Sequence, residues 1–343
     1  MCRFIHYLGP PIKISSIVTE PSHGLVQQSL HSTCPGVHLN ADGFGIAWFV
    51  PEISPNPAVF KDITPAWSNI NLRQLARVTK SGCIMSHVRA ASAGAITTNN
   101  CHPFTYKNLS WMHNGTVSYF PKLKLKFYNM LSQSALESIK GTTDSECIFA
   151  LFITNYEKEI GFCAKPKPHL SRPVYSTHCL LEPEDEPFPY TDNAVVFPKV
   201  MQKTISQIHQ LILDYEVENG IISANDEGAS LQTTSTHSKL NLVVSDGYAV
   251  VATRYVTGTA DGAHTLYWSR AKSIVCDKGA CTLGSSKGGC DLYSLIISSE
   301  PLASDFTCEE VPINNMTPQK VFIRCNNNNN NNKILNGDIK SST

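Results

Sequence analysis

The sequence lacks long hydrophobic runs. Hydrophobic residues make up 42% of the 343 positions, yet no run reaches the roughly 18 consecutive apolar residues of a membrane-spanning helix. The opening stretch MCRFIHYLGPP has no apolar core of the kind that a secretory signal needs. We therefore expect no membrane segment and a cytoplasmic protein.

An excess of charge of one sign is also missing. The chain has 28 Lys and Arg residues and 28 Asp and Glu residues, which gives a formal net charge of +0. Proteins that bind nucleic acid through the phosphate backbone generally carry a basic excess. We therefore expect no nucleic-acid partner.

Metal-ligand patterns are absent as well. Of the twelve cysteines, only Cys276, Cys281 and Cys290 form a late cluster, and their spacing fits no familiar zinc pattern. In a reducing compartment cysteines stay mostly as free thiols. We expect no metal and no cofactor.

The first three residues, Met1-Cys2-Arg3, offer a candidate nucleophile. Removal of Met1 before a small side chain would leave Cys2 with a free α-amine, whose pKa is about 7.7–8. A thiol with a base in the same residue is an activated nucleophile. Taken alone, a cysteine at position 2 is better explained by chance, and the rest of the chain has to decide its role.

Hydrophobic periodicity and turn residues predict both strands and helices. Strands are predicted at 2–8 (stopped by Gly9-Pro10-Pro11), 44–49, 83–89, 109–113, 266–269 and 292–298, with a hairpin at 240–255. Helices are predicted at 14–19, 69–80, 122–140, 144–156 and 199–218, and 23–38 is predicted to be an irregular connector.

Two polar positions follow predicted strands. Arg89 precedes the small-residue loop 90–94, so its guanidinium either reaches a carboxylate in a cleft or forms a structural salt bridge. Asn114-Gly115 is either a tight turn or an oxyanion hole, formed by the Asn side chain and the Gly backbone N–H.

Two further positions have both a structural and a functional interpretation. Asp42-Gly43 makes a tight strand entry, where the backbone could approach a substrate or merely the next strand. Asp144 falls in the first turn of a helix, for which Thr143 and Glu146 fit a capping box. The helix dipole alone explains this carboxylate, and a cationic ligand would be additional.

Short motifs in a fixed order give the sequence a family resemblance. They are MCRF, NADGFGIAW, SHVRAAS, NCHPF, WMHNG and GTTDSE in the first 150 residues, and LNLVVSDG and SSEPL between 240 and 302. Together they resemble the class II glutamine amidotransferases, which are N-terminal-nucleophile hydrolases. The stand-alone members are the most similar, including the amidotransferase subunit of a cytosolic glutathione-degrading complex and the γ-glutamyl hydrolases of ergothioneine synthesis.

The resemblance implies a catalytic role for three residues. Cys2 would attack a γ-amide carbonyl as the thiolate, with its own α-amine as base. The Asn114 side chain and the Gly115 backbone N–H would hold the tetrahedral oxyanion. A γ-glutamyl thioester would form, and water would release glutamate.

The resemblance also implies which residues hold the substrate. Arg89 would bind the substrate α-carboxylate, and Asp144 would bind its α-ammonium group. His113, Asp42 and Gly43 are assigned to the substrate side of the same site.

The family fold is α+β, a four-layer αββα sandwich with two antiparallel sheets. We expect one such domain over residues 2–324, with probable loop insertions at about 161–197 and 219–238, and a disordered asparagine-rich tail at 325–343. Residues 90–94 read Ala-Ala-Ser-Ala-Gly, where larger members carry a Trp-Ala-Thr-His-Gly-like run. This difference is compatible with a leaving group bulkier than ammonia.

No synthase-like segment follows the predicted sandwich, so we expect hydrolysis of a γ-glutamyl bond in glutathione or a related conjugate. The expected substrate is glutamine or a γ-glutamyl peptide, and a peptidase subunit is a candidate partner. One alternative is a glutaminase that passes ammonia to a separate synthase. Another is a non-catalytic scaffold subunit.

Overall fold

A computed structural model of the chain shows two antiparallel sheets packed face to face. It describes residues 2–31, 39–91, 94–161, 192–222, 236–258, 262–271, 273–277, 280–284, 294–303 and 307–316. None of their helices is both long and apolar enough to cross a membrane.

The first sheet has seven strands in the order β13-β9-β12-β1-β4-β2-β3, and β1 lies at its centre. These strands are β1 (Arg3–Lys13), β2 (Phe44–Val50), β3 (Ser54–Asp62), β4 (Lys80–Val88), β9 (Tyr267–Ala271), β12 (Ser294–Ser298) and β13 (Glu309–Glu310).

The second sheet has the order β14-β8-β7-β6-β5. Its strands are β5 (Phe104–Tyr106), β6 (Leu109–Thr116), β7 (Lys239–Ser245), β8 (Val250–Arg254) and β14 (Asn315–Met316). A separate two-stranded ribbon joins β10 (Ser273–Asp277) to β11 (Ala280–Gly284).

Helices cover the outer face of each sheet. They are α1 (Ser15–Val18), α2 (Leu25–Leu30), α3 (Ile70–Val78), α4 (Phe120–Tyr128), α5 (Gln133–Glu137), α6 (Asp144–Glu159) and α7 (Asn193–Glu218). The first three pack on the first sheet, and the last four pack on the second.

Alternation along the strands produces these layers. Phe4 of β1 and Met112 of β6 point between the sheets, whereas Ile5 and Trp111, their chain neighbours, point to the outer helices. The helix, sheet, sheet, helix order confirms the predicted α+β sandwich with two antiparallel sheets. The hairpin predicted at 240–255 is also confirmed, as β7 and β8.

Several predicted boundaries are wrong. The first strand does not stop at Gly9-Pro10-Pro11, because the pairing register shifts between Leu8 and Ile12 and the prolines occupy that irregularity. The segment 23–38, predicted to be irregular, contains α2. The strand β3 was not predicted.

Helix predictions are also corrected in two places. The helix predicted at 122–140 is two helices, because Ser132 caps a new start by accepting the N–H of Ala135. The loop predicted at 161–197 contains the start of α7 at Asn193, and Pro198 lies inside this helix. The rest of this insertion, most of 219–238 and the asparagine tract lie outside the described residues.

Candidate active site

Cys2 lies immediately before β1, at the end of the first sheet. Its thiol is 3.4 Å from the backbone N of Ala90 and 3.5 Å from the oxygen of the same residue. Burial raises the pKa of the Cys2 thiol above its usual value, while the Ala90 N–H and the positive charge of Arg89 act in the opposite direction. The sulfur therefore has a hydrogen-bond donor in place for its anionic form.

Strand register brings Arg89 beside Cys2. Arg3 pairs with Val88 across β1 and β4, so the residues just beyond this pair, Cys2 and Arg89, lie at the same sheet end. Arg89 is 3% exposed, and its Nη1 donates to the carbonyl of Ala95 at 3.1 Å. A buried guanidinium next to the thiol suits a substrate carboxylate.

Asp42 and Gly43 hold the chain around Arg89. The Arg89 N–H donates to the Gly43 carbonyl at 2.8 Å, and the Asp42 N–H donates to the Arg89 carbonyl at 3.1 Å. The Asp42 carboxylate accepts the N–H of Ala91 at 2.8 Å. Gly43 has φ +103°, and a Cβ there would lie 2.7 Å from the sulfur of Cys101, so the position requires glycine.

Asn114 and Gly115 belong to β6, so the interpretation of this dipeptide as a tight turn is wrong. Asn114 pairs with Asn241 of β7, and Gly115 pairs with Leu240. Asn114 has the same parity as Met112 and therefore faces the first sheet, which carries Cys2. Its Nδ2 donates to Ser299 Oγ at 3.5 Å, and its buried Oδ1 has no hydrogen-bond partner among the described residues.

Asp144 is the first residue of α6 and lies next to the end of β6. Its Oδ2 accepts the N–H of Val117 at 2.8 Å, and its Oδ1 accepts the N–H of Ser145 at 2.8 Å. The side chain is half-buried, and a carboxylate with two such bonds keeps lone pairs for an ammonium group. Thr143 caps the helix as predicted, by accepting the N–H of Glu146.

The other half of the predicted capping box is not formed. The Glu146 carboxylate accepts the N–H groups of Lys140 and Gly141 instead of reaching back to Thr143. It therefore fixes the loop before α6.

His113 faces α6, on the opposite side of β6 from Asn114. Its Nε2 lies 2.9 Å from the carbonyl of Lys239, which can only accept, so Nε2 carries the proton and Nδ1 accepts from Ser145 Oγ at 2.9 Å. Burial lowers the pKa of His113, which agrees with a neutral ring. Both ring nitrogens are occupied, so we reassign His113 from substrate contact to a supporting role. It holds the side chain of Ser145, whose backbone N–H donates to Asp144.

A polar network joins the Arg89 loop to the start of α6. Asn100 is 2% exposed; its Nδ2 donates to the Ala95 carbonyl at 2.9 Å, and its Oδ1 accepts the N–H of Thr142 at 2.9 Å. The Ala95 carbonyl also accepts from Arg89. Asn100 thus links the loops that carry Arg89 and Asp144.

Sequence reasoning missed Asn100 and the supporting residues Arg3, Ser299 and Glu300. They occur inside the quoted motifs NCHPF, MCRF and SSEPL. Their contacts join segments that are far apart in the chain, so local patterns could not reveal them.

Among the described residues no group of three or more His, Cys, Asp or Glu side chains is placed to hold a metal ion. The side chains of Cys276, Cys281 and Cys290 lie outside what the structure describes.

The chain is similar to known proteins both in sequence and in fold. Residues 27–178 match the family model of class-II glutamine amidotransferases. The chain is 37% identical over 282 residues to the probable glutamine amidotransferase DUG3 of Saccharomyces cerevisiae, covering 80% of this chain and 69% of that protein. The chain belongs to the class II glutamine amidotransferases. As a member of this family, it is an amidohydrolase.

Two further comparisons place this amidotransferase more broadly. It is 33% identical over 120 residues to the γ-glutamyl-hercynylcysteine sulfoxide hydrolase of Mycobacterium tuberculosis, a match covering 34% of this chain and 50% of that protein. A solved structure, the glutamine aminotransferase class-II domain protein from Silicibacter pomeroyi, superposes with a TM-score of 0.54 at 20% identity and covers 92% of each chain. The structural likeness shows a shared fold.

Proposed function

We propose that this amidotransferase hydrolyses a γ-glutamyl amide bond through a thioester on Cys2, with glutathione or a related γ-glutamyl conjugate as substrate. The observation that carries the proposal is the meeting of three groups at one end of the facing sheets. The Cys2 thiol contacts Ala90, and Arg89 lies at the same end of the first sheet as Cys2. Asn114 is joined to β1 through Ser299.

The chemistry follows from these positions. Once Met1 is removed, the Cys2 α-amine takes the thiol proton and the sulfur attacks the γ-carbonyl carbon. Asn114 Nδ2 and the Gly115 N–H stabilise the oxyanion. The C–N bond then breaks, the α-ammonium group returns the proton to the leaving amine, and a water molecule hydrolyses the thioester to glutamate and free Cys2.

The charges around Cys2 support a glutamyl head group. The buried guanidinium of Arg89 suits an α-carboxylate, and the half-buried carboxylate of Asp144 suits an α-ammonium group. Together they bracket the zwitterionic end of a γ-glutamyl compound. The similarity to the mycobacterial γ-glutamyl-hercynylcysteine sulfoxide hydrolase supports the same bond type.

The leaving group and the partner are further parts of the proposal. The loop after Arg89 begins with Ala90-Ala91, whose small side chains leave room for a peptide amine as the leaving group. A peptidase subunit that consumes the released dipeptide is the candidate partner.

The test is glutamate release from glutathione and from glutamine, with and without candidate peptidase subunits. We expect release from glutathione by the native chain and its loss in Cys2→Ser. Cys308→Ser is the matched control, because Cys308 is a free, half-buried thiol outside the site. Release from glutamine alone, with every γ-glutamyl peptide left intact, would contradict the proposal and favour a glutaminase that feeds a synthase.

A further inference from the structure

We propose that Ser299 and Glu300, which follow β12, are positioning residues that set the Cys2 end of β1 against the Asn114 carboxamide. This inference rests on the proposed function, because Cys2 and Asn114 have their catalytic roles there. Neither Ser299 nor Glu300 would touch the substrate. Both are buried, and their side chains bind other protein groups: Ser299 binds Phe4 and Asn114, and Glu300 binds Arg3 and His23.

Glu300 holds the main chain of the nucleophile through Arg3. Its Oε1 binds Arg3 Nε, and its Oε2 lies 2.7 Å from His23 Nε2. Arg3 Nη1 in turn donates to the Cys2 carbonyl at 2.8 Å. Cys2 precedes β1 and so has no place in the strand ladder, which makes this side-chain bond its tether.

The burial of this ion pair gives the tether its stiffness. Arg3 and Glu300 are each 1% exposed. Removing one partner of such a pair leaves an uncompensated charge in the interior, a strongly unfavourable state. The guanidinium therefore has little freedom, and the Cys2 carbonyl that it binds is fixed with it.

Ser299 spans the two sheets. Its N–H donates to the Phe4 carbonyl, and its Oγ accepts the Phe4 N–H, both at 3.0 Å. The same Oγ accepts from Asn114 Nδ2 at 3.5 Å. A carboxamide nitrogen has two N–H groups, so with one on Ser299 the other remains for the oxyanion.

Two adjacent residues thus fix the nucleophile and the oxyanion donor relative to each other. The residues proposed to hold the substrate head group, Arg89 and Asp144, belong to other segments. Loss of Ser299 or Glu300 should therefore lower kcat and leave KM nearly unchanged.

The first test uses Glu300→Gln and needs no substrate. Iodoacetamide alkylation of each cysteine is followed by mass spectrometry. We expect Cys2 to be alkylated several-fold faster than in the native chain, because its tether is loosened and the charge of Arg3 is no longer balanced. Buried Cys83 and Cys147 should stay unmodified. An unchanged rate at Cys2, or labelling of the buried thiols as well, would overturn the role.

Glu157→Gln is the matched control for this test. Glu157 is also a buried carboxylate, but it binds Ser132 and Ser134 on the α5 side of the molecule. Its loss should leave the alkylation rate of Cys2 at the native value. A rate change equal to that of Glu300→Gln would show a general response to losing a buried carboxylate and would count against the proposal.

The second test is a double-mutant cycle between Ser299 and Asn114. We expect kcat to fall about tenfold in Ser299→Ala and about 10²–10³-fold in Asn114→Ala. The double variant should equal Asn114→Ala, because Ser299 acts through that carboxamide. Ser294→Ala, at the start of β12 and hydrogen-bonded to Tyr7, is the control with native kcat. Multiplying effects, or a change confined to KM, would contradict the role of Ser299.

The two tests separate this inference from the proposed function. If native protein releases no glutamate from any γ-glutamyl compound, the proposed function fails, yet the alkylation result for Glu300→Gln still decides the tether. If the native chain is active and both variants behave like the native chain, the positioning role alone fails.

Discussion

The reaction end of the candidate site (Cys2, Asn114, Gly115) and its head-group end (Arg89, Asp144) are built differently. The reaction end is fixed by strand pairing and by Ser299 and Glu300 behind it. The head-group end lies where β4 ends and α6 begins, and Asn100 joins the loops next to these two points. Strand pairing tolerates few changes, whereas a loop network can adjust. We therefore expect changes at the reaction end to act on kcat, and changes at the head-group end to act on KM.

The largest effect is expected for Gly115→Ala at the reaction end. A Cβ on Gly115 would lie 1.7 Å from the Lys239 carbonyl and 2.5 Å from His113 Nε2, so β6 and β7 could not keep their pairing. We expect kcat to fall about a thousandfold or more, because the oxyanion N–H moves with the strand. Steady-state kinetics and circular dichroism of the variant would measure both consequences.

Gly220→Asn is the control for this glycine. Gly220 has φ +65° and open space around it, and asparagine tolerates that conformation. Native kinetics are expected there. Native kinetics in Gly115→Ala would break the view that strand geometry fixes the oxyanion hole.

A smaller effect, on KM, is expected for Asp144→Asn at the head-group end. Asparagine keeps an acceptor for Val117 but loses the charge that would bind an α-ammonium group. We expect KM for glutamine or glutathione to rise about 10–100-fold, with kcat changed much less. Glutaramate, which is glutamine without its α-amine, is the matched substrate. Its KM should be the same in the native chain and in Asp144→Asn. An equal rise in KM for both substrates would show that Asp144 acts only through the fold.

Asn100→Ala should give a still smaller effect of the same kind. Without its carboxamide, the Ala95 and Thr142 segments lose their link, and Arg89 and Asp144 lose their fixed separation. We expect KM to rise about tenfold, the equivalent of one or two hydrogen bonds. The same assay measures it, and a fall in kcat at constant KM would place Asn100 with the reaction end instead.

The smallest effect concerns the buried histidines behind the reaction end. Burial lowers the pKa of His87 to about 3, so between pH 6.5 and 3 the unfolded chain binds a proton at this histidine and the folded chain does not. The stability that the folded chain has with a neutral His87 is fully present above pH 6.5 and is lost as the pH falls. Between pH 7 and 5.5 we expect a loss of about 1 kcal/mol per such histidine.

Urea unfolding at the two pH values measures this loss. His87→Met should lose about 1 kcal/mol less than the native chain between pH 7 and 5.5, whatever its absolute stability. An identical pH dependence in the two proteins would show that His87 is not the group that titrates.

Sequence patterns predicted the head-group end better than the reaction end. Arg89 after a buried strand and Asp144 in the first turn of a capped helix follow local rules, and the structure places both as those rules indicate. Asn114-Gly115 also has a strong local signal, for a turn, but pairing with β7 keeps it in β6. Tertiary pairing therefore overrides turn propensity at the reaction end.

Other features depend on contacts that no local pattern contains. Nothing near Ser299 or Glu300 indicates that they reach Phe4 and Arg3, nearly 300 residues away in the chain. The first strand continues beyond Pro10 and Pro11 because a register shift leaves these prolines outside the regular pairing. These contacts and this register shift exist only once the strands have assembled into sheets.

The central claim is a γ-glutamyl thioester on Cys2, and intact mass spectrometry of the chain quenched in acid during turnover tests it most directly. The account predicts a chain without Met1 that carries the mass of one glutamyl group on its N-terminal peptide, with the adduct missing in Cys2→Ser. Steady turnover by a chain that keeps Met1, or an adduct on another residue, would contradict it.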